Sequence, residues 1–140
     1  RPGNNVQIAD DNEVIKLVGK MVEVFKKLKP YNENLSKEYQ EKGLPPQRVP
    51  ALQFPEESAE LNRWPYQYMY GSDLLVAPVI RMGKSSWRVR LPKEKWVHLW
   101  SGKEFDGGGI VTVDAPIGEI PVFYRTNTEW KELFGKVRSL

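Results

Sequence analysis

The chain has 140 residues, of which 40% are hydrophobic and 28% charged, a composition typical of a globular protein. Its 21 basic and 18 acidic residues leave a formal net charge of +3 and form no basic stripe, so we expect no nucleic-acid partner. No run approaches the roughly 20 apolar residues of a membrane span. No cysteine is present, which excludes disulfides and thiolate metal sites and fits a reducing compartment, so we expect a cytoplasmic protein.

The first part of the chain predicts two helices. Arg1 to Asn5 is typical of a loop, lacks an initiator Met, and suggests that the chain begins inside a longer protein. From Asp10 onward, apolar residues recur every three or four positions and predict an amphipathic helix. These residues are Val14, Leu17, Val18, Met21, Phe25 and Leu28. Lys29-Pro30 interrupts this helix, and a second helix is predicted from Tyr31 to Lys42, with Gly43 as its C-terminal cap.

The residues after Pro46 predict short strands separated by Gly, Pro and Ser turns. The predicted strands are Leu74–Ile80, Trp87–Leu91, Lys95–Trp100, Gly109–Val113 and Pro121–Arg125. A closing helix is predicted from a Thr128 cap to Arg138, with Trp130, Leu133, Phe134 and Val137 on one side. The fold class predicted is therefore α+β. Two helices cannot bury a wide apolar stripe by themselves, so we expect the front half to pack against elements that precede Arg1.

No set of residues predicts a catalytic or metal site. The only histidine, His98, alternates with Trp96 and Trp100, which places all three on one strand face, and it has no nucleophile or further metal ligand nearby in sequence. Glycoside hydrolysis needs two carboxylates across the scissile bond, but the adjacent acidic residues have simpler roles. Asp10-Asp11 suits helix capping, Glu56-Glu57 a solvated turn and Asp73 a turn before a strand. We assign no catalytic, substrate-binding or metal-ligating residue and no cofactor.

One glycine-rich segment and the five tryptophans are also predicted to have structural roles. Asp106-Gly107-Gly108-Gly109 lacks the helix and Gly-Lys-Ser/Thr sequence of a phosphate loop, so it is predicted to connect two strands. The five tryptophans are Trp64, Trp87, Trp96, Trp100 and Trp130. Indoles stack on sugar rings when exposed, but they also fill the cores of small β-domains. We expect most of them to be buried, with Trp87 facing inward beside Val89 and Leu91.

An ordered set of motifs resembles the C-terminal part of glycoside hydrolase family 31. The segment 67–79, Gln-Tyr-Met-Tyr-Gly-Ser-Asp-Leu-Leu-Val-Ala-Pro-Val, is similar to the strand that opens the β-sandwich after that family's catalytic barrel. Four further segments match in the same order: 28–31, 43–48, 95–102 and 115–125. One local difference is Val49, which stands between Arg48 and Pro50 where the family usually has proline directly.

The resemblance implies a fold and an activity for the whole protein. Residues 1–44 correspond to the last loop and helices of a (β/α)8 barrel, and residues 45–140 to an antiparallel β-sandwich with a closing helix. The parent protein is expected to be a retaining α-glycosidase acting on a carbohydrate substrate. The family's nucleophile lies in an Asp-Met-Asn type motif that this chain lacks, and its acid/base aspartate also lies upstream, so the chain alone is predicted to be inactive.

Two other functions remain open at this level. The chain could be a free-standing carbohydrate-binding β-sandwich module with Trp87, Trp96 or Trp100 as an exposed platform, or a purely structural domain. Exposure of the indoles separates the binding module from the others. The apolar stripe of the first helix favours the fragment, because a free-standing domain does not leave such a surface uncovered. We expect the stripe to rest on the missing N-terminal catalytic part, on the sandwich, or on a second copy of the chain.

Overall fold

The computed structural model describes residues 12–81, 83–116 and 118–139, which form five helices and eight strands within those ranges. The helices are α1 (Asn12–Lys27), α2 (Lys29–Lys42), α3 (Pro50–Gln53), α4 (Ser58–Leu61) and α5 (Lys131–Val137), and a 3-10 turn spans Pro55–Glu57. The strands are β1 (Gln47–Arg48), β2 (Tyr68–Tyr70), β3 (Leu74–Val76), β4 (Ser86–Leu91), β5 (Lys95–His98), β6 (Glu104–Asp106), β7 (Gly109–Asp114) and β8 (Val122–Arg125).

The predicted break between the first two helices is confirmed. Pro30 lies in the first turn of α2, where its missing N–H leaves no hydrogen bond unmade. The backbone N–H of Leu28 still donates to Val24, and that of Asn32 donates to Leu28, so the two helices follow each other without an intervening loop. Gly43 ends α2 with a positive φ of 69° and donates to Tyr39, as expected of a C-terminal cap.

Six strands form one antiparallel sheet in the order β1-β2-β3-β8-β5-β6. The last strand of the chain, β8, therefore lies between β3 and β5 near the centre. Strands β4 and β7 form a separate antiparallel ribbon, paired from Ser86 and Asp114 to Leu91 and Gly109. The ribbon packs on one face of the sheet, and the helices α1, α2 and α5 pack on the other.

Alternation along the strands supplies two separate cores, because successive side chains of a strand point to opposite faces. The core between the sheet and the ribbon contains Met69, Leu75, Ala77, Val89, Leu91, Trp96, Val113 and Phe123. The core between the sheet and the helices contains Val24, Tyr31, Leu35, Leu74, Val97, Leu99, Tyr124, Phe134 and Val137. The sheet is thus covered on both faces, and the α+β class with antiparallel strands and a closing helix is confirmed.

Three predicted strands are longer than the observed ones, since β8 begins at Val122 rather than Pro121 and two others end early. The apolar run from Leu74 was expected to reach Ile80, but β3 ends at Val76. Ala77 still donates to Pro121, and Pro78 then has no N–H to continue the pairing. Strand β5 ends at His98 rather than Trp100, because the N–H of Gly102 turns back to bond the carbonyl of His98.

The closing helix begins three residues after the predicted cap. Helix α5 starts at Lys131, and the hydroxyl of Thr128 accepts a hydrogen bond from the N–H of Trp130 at 3.2 Å. The predicted apolar side of the helix is confirmed, since Phe134 and Val137 are buried and Trp130 and Leu133 pack against the same core.

Among the described side chains of helix α1, one is buried in the helix-side core and others are exposed. Val24 is buried and Leu28 packs against the core, whereas Met21 is 43% and Phe25 68% exposed. The side chains of Val14, Leu17 and Val18, and the predicted caps Asp10 and Asp11, lie outside the described residues. The division at residue 44, and the assignment of α1 and α2 to a barrel, remain predictions.

Candidate functional site

Arginines hold two of the half-buried glutamates in tight ion pairs. The Arg48 guanidinium donates to Glu38 at 2.7 Å, to the Ser72 hydroxyl at 3.0 Å and to the Pro45 carbonyl at 2.7 Å. These bonds connect α2 to the β1 edge of the sheet. A carboxylate fixed in this way is an acceptor in a structural contact, and the pair gives no sign of the general acid that glycoside hydrolysis needs.

The second pair joins strand β8 to the loop before β5. The Arg125 guanidinium contacts Glu94 at 2.6 Å and also lies 3.4 Å from the Ser72 carbonyl. Both side chains are about three-quarters covered. Since β8 is a central strand, this ion pair fixes the position of the adjoining loop over the end of the sheet.

The interpretation of Glu56-Glu57 as a solvated turn is wrong for Glu57. Glu56 is exposed, but the Glu57 side chain is only 10% exposed. Its carboxylate accepts the backbone N–H of Lys93 at 2.8 Å and lies 4.0 Å from the Arg90 guanidinium. The 3-10 turn directs this one carboxylate inward, which adjacent letters in a sequence do not reveal.

Asp73 has the predicted place in the turn that leads into β3. Burial raises the pKa of its carboxyl, and the nearby Arg125 charge and a hydrogen bond from Thr128 oppose that shift. The backbone N–H of Asp73 also lies 3.4 Å from the Tyr31 hydroxyl, which itself donates to the Tyr70 carbonyl at 2.6 Å. The residue thus belongs to the contact between α2 and the sheet.

His98 is buried on the ribbon side of the sheet, at 5% exposure. Its Nδ1 lies 2.7 Å from the Ser101 hydroxyl, and its ring packs on Phe123 with centroids 5.3 Å apart. Burial lowers the pKa of the imidazole. Within the described parts of the chain, no group of three or more His, Cys, Asp or Glu side chains is placed to hold a metal ion.

The expectation that His98 shares one face with Trp96 and Trp100 is half wrong. Trp96 lies on the ribbon side with His98, and its indole N–H donates to the Pro92 carbonyl at 2.9 Å. Trp100 lies beyond the end of β5, packs on the helix side and donates to the Ile120 carbonyl at 2.7 Å. The alternation fails at Trp100 because the chain has already turned.

The five indoles do not form an exposed platform. Trp96 is completely buried, and the other four are half-buried. Trp87 packs with Val89 and Leu91 toward the inner core, as predicted, while Arg88 is exposed on the opposite face. Trp64 and Trp87 are among the residues that line a surface cleft.

An apolar groove of about 310 Å³ runs between α1 and the sheet. Met21 and Phe25 form its helix wall, and the sheet side includes Val76, Leu99 and Val122. At one end, Lys20 holds the helix in place by contacting Glu119 at 2.9 Å and lying 4.9 Å from the Trp100 ring centroid. We call this surface the α1 groove. The groove accounts for the exposed part of the apolar stripe and presents a mostly hydrophobic surface to solvent.

Several residues that organise these contacts were missed in the sequence. Gln67 is 6% exposed and makes two hydrogen bonds of 2.9 Å with the backbone of Arg90, one as donor and one as acceptor. The pairs of Arg48 with Glu38 and of Arg125 with Glu94 were also missed. In the sequence, Gln67 is marked only as a polar residue directly before an aromatic strand. The ion pairs join positions that are distant in sequence, so no local pattern predicts them.

The described residues contain one half-buried aspartate, Asp73, and two glutamates in short arginine ion pairs, with a third glutamate 4.0 Å from an arginine. They contain no metal cluster, and the sheet is covered on both faces. Residues 43–128 match the family model of the glycosyl hydrolase family 31 C-terminal domain. The chain belongs to glycosyl hydrolase family 31. Among the described residues no helix is long and apolar enough to cross a membrane.

Similar proteins cover the whole chain. The sulfoquinovosidase of Escherichia coli (strain K12) is 44% identical over 140 residues, which is 100% of this chain and 20% of that protein. A sulfoquinovosidase of Agrobacterium fabrum is 39% identical over 141 residues and 21% of its length. The structure of a family 31 sulfoquinovosidase from E. rectale superimposes with a TM-score of 0.92 at 38% identity, over 99% of this chain and 20% of that one. An α-xylosidase from a soil metagenome gives a TM-score of 0.86 at 31% identity, over 94% and 20%.

The chain therefore spans about a fifth of the length of the relatives it matches. The resemblance to family 31 inferred from the motifs is confirmed. The activities named for these relatives belong to proteins of which this chain matches only that part.

Proposed function

We propose that this chain is the C-terminal portion of a retaining α-glycosidase whose substrate is an α-glycoside of sulfoquinovose. The observation that carries the proposal is the 44% identity to a sulfoquinovosidase along the entire chain. The second sulfoquinovosidase, at 39% identity over the same span, supports the same substrate class. Other relatives are named as xylosidases and glucosidases, so the sugar is the part of the proposal that most needs an assay.

The proposed reaction uses two carboxylates that lie in the part of the protein preceding this chain. One acts as nucleophile and forms a covalent glycosyl-enzyme, and the other first protonates the leaving oxygen and then activates water. Glu38, Glu57 and Glu94 are assigned no catalytic role, since each is engaged with an arginine. A cytoplasmic location of the enzyme stays a prediction.

The role proposed for this chain is to support the catalytic barrel. The α1 groove supplies the surface, because Met21 and Phe25 are exposed there beside a wall of apolar side chains. Covering both side chains stabilises the contact by at most about 1.5–3 kcal/mol each, because both are already partly covered. Helix α1 is held to the sheet by Lys20 and Val24, so a barrel resting on the groove would also fix the orientation of the β-domain.

An assay of the complete protein tests the activity. The parent reading frame is expressed, and hydrolysis of an aryl α-sulfoquinovoside is compared with that of aryl α-glucoside and α-xyloside. We expect turnover of the sulfoquinovoside and at least about tenfold lower kcat/KM for the others, because buried charged recognition groups discriminate strongly. Faster hydrolysis of a neutral glycoside contradicts the substrate; no hydrolysis of any α-glycoside contradicts the proposed class.

The same substrates test whether the catalytic carboxylates lie outside this chain. We expect the 140-residue chain alone to give no turnover above a preparation from cells that carry an empty vector. Turnover by the chain alone would place the catalytic carboxylates within it and overturn the assignment to the preceding part.

A further inference from the structure

A second cleft, on the opposite side of the sheet from the α1 groove, combines cations with aromatic rings. It has a volume of about 600 Å³ and lies between the turn before β2, the connection from β3 to β4, and the first residues of β4. Its walls carry Trp64 and Trp87 together with four basic side chains. These are Arg63, Arg81, Lys84 and Arg88. We call this feature the basic cleft.

The charge of the basic cleft is concentrated and unneutralised. Among the described residues that line it, none is acidic. None of its four cations is within 4.0 Å of a carboxylate in the ion pairs of that part of the chain. All four side chains are exposed. Four positive charges in one cleft exceed the +3 net charge of the whole chain. Like charges repel when they are gathered in one cleft, and a bound anion relieves that repulsion.

The aromatic part of the cleft is held in a fixed position. Gln67 follows the turn that carries Trp64 and fastens it to β4 through two hydrogen bonds of 2.9 Å with the Arg90 backbone. Trp87 lies on β4 itself and packs against the inner core. The Arg88 guanidinium lies 5.8 Å from the ring centroid of Trp64. A cation that lies over an indole is therefore held on a supported surface before any ligand arrives.

We propose that the basic cleft is a binding site for an anionic sugar, that is, a pyranoside carrying a sulfonate or a phosphate. The ring would pack against the indole of Trp64, and the anion would contact Arg63 and Arg88. A cleft of this volume accommodates one or two sugar units. The site binds without chemistry and does not depend on which glycoside the complete enzyme hydrolyses, so its test uses no catalytic readout.

Indole N–H resonances give a site-specific test. The 140-residue chain, with its fold checked by circular dichroism, is titrated with methyl α-sulfoquinovoside and separately with glucose 6-phosphate while ¹H–¹⁵N spectra are recorded. We expect the Trp64 and Trp87 indole signals to shift with both sugars. The signals of Trp96 and Trp100 should stay in place, because their N–H groups are bonded to the Pro92 and Ile120 carbonyls.

Matched variants locate the binding. Arg63→Gln combined with Arg88→Gln should weaken the anionic sugar at least about tenfold, since two charge-assisted contacts are lost. The control, Lys131→Gln with Lys136→Gln, removes the same charge from the exposed side of α5 and should leave the affinity unchanged. If the first variant does not fold, Arg81→Gln with Lys84→Gln in the other wall provides the same comparison, with an expected loss of several-fold.

Four results would overturn the proposal. They are the absence of any shift of Trp64 and Trp87 at millimolar anionic sugar, equal binding of neutral methyl α-glucoside, equal binding of inorganic sulfate, and tighter binding of a single-stranded oligonucleotide. The second and third would show that the anion or the ring is not recognised, and the fourth would make the cleft a nucleic-acid surface.

Discussion

Tyr31 brings a hydroxyl into the core between the helices and the sheet. The residue is 1% exposed, and its hydroxyl donates to the Tyr70 carbonyl at 2.6 Å. Its ring meets those of Trp130 and Phe134 edge-on. Burial raises the pKa of the phenol above its ordinary value, so the hydroxyl stays protonated and remains a donor. One side chain thereby joins α2, α5 and the sheet.

The Tyr31→Phe variant should be less stable by about 1–2 kcal/mol, because the Tyr70 carbonyl loses its donor while the ring contacts are kept. Urea denaturation followed by circular dichroism measures the free energy of unfolding. Tyr39→Phe is the matched control, since Tyr39 lies on the same helix and is 58% exposed. Equal stability of the two variants would show that the buried hydrogen bond contributes nothing.

His98 makes stability depend on pH in a range where no other side chain type ordinarily titrates. The folded protein disfavours the charged imidazole because of burial, although Glu119 and Asp114 partly offset this. With the folded pKa below 6.5, the unfolded chain binds the proton first as pH falls. The contribution is therefore full above pH 6.5 and is lost as pH falls toward the folded pKa.

We expect the free energy of unfolding to be lower at about pH 5.5 than at about pH 7.5, and this difference to shrink in His98→Gln. His98 is the only histidine, so the substitution removes the whole histidine contribution to the pH dependence. The quantity compared is the change in unfolding free energy with pH, which can be compared even if the variant has a different absolute stability. Parallel pH profiles of the two proteins would contradict a lowered pKa.

At the scale of elements, the sequence predicted the helices and strands that have a local pattern of apolar and turn-forming residues. The helices α1 and α2, the Pro30 break and the Gly43 cap follow from periodicity and backbone chemistry, and so does the inward face of β4. Short elements were missed: β1 has two residues and β2 and β6 three each, too few for alternation to be visible. Trp96 and Val97 are both buried because the sheet is covered on two faces, a property of the assembled layers.

The candidate sites follow the same division. The absence of a catalytic motif can be read along the chain, whereas the basic cleft gathers charges from positions 63 to 88 that are scattered in sequence. The contact of Gln67 is also not visible in the sequence, because its side chain forms hydrogen bonds with the backbone of β4 as a neighbouring strand would. Such contacts arise from tertiary placement, and composition does not record them.

Gln67→Met should destabilise the protein by about 1–3 kcal/mol, because the buried N–H and carbonyl of Arg90 both lose a partner. Thermal unfolding would show a lower Tm than in the wild type. Gln40→Met, on the exposed side of α2, is the control and should leave Tm unchanged. If both variants have the same Tm as the wild type, water replaces the Gln67 amide without loss of stability.

At the scale of the whole molecule, the chain has an uncovered apolar surface in the α1 groove. Phe25 is 68% exposed there, beside Met21 at 43%. In the proposed enzyme the barrel covers this surface. In the isolated chain a second copy offers the same apolar side chains, and apolar surfaces associate in water.

We therefore expect the isolated chain to self-associate with increasing concentration, and Phe25→Glu to reduce the dimer fraction because a charge would be buried in the contact. Sedimentation velocity measures that fraction. Leu52→Glu adds the same charge at a residue that is 79% exposed in α3 and should leave the association unchanged. A monomeric wild-type chain at all concentrations would contradict the prediction.

The position of β8 between β3 and β5 affects how the protein is made. Translation delivers β3 about 50 residues before β8 can pair with it, and β5 also waits for the same strand. Until then both strands present unpaired edges, which are the parts of a sheet most prone to pair with other chains. The sheet can close only when residue 125 has left the ribosomal tunnel. A nascent chain stalled before that point is therefore the form of this protein most exposed to aggregation and most in need of a chaperone.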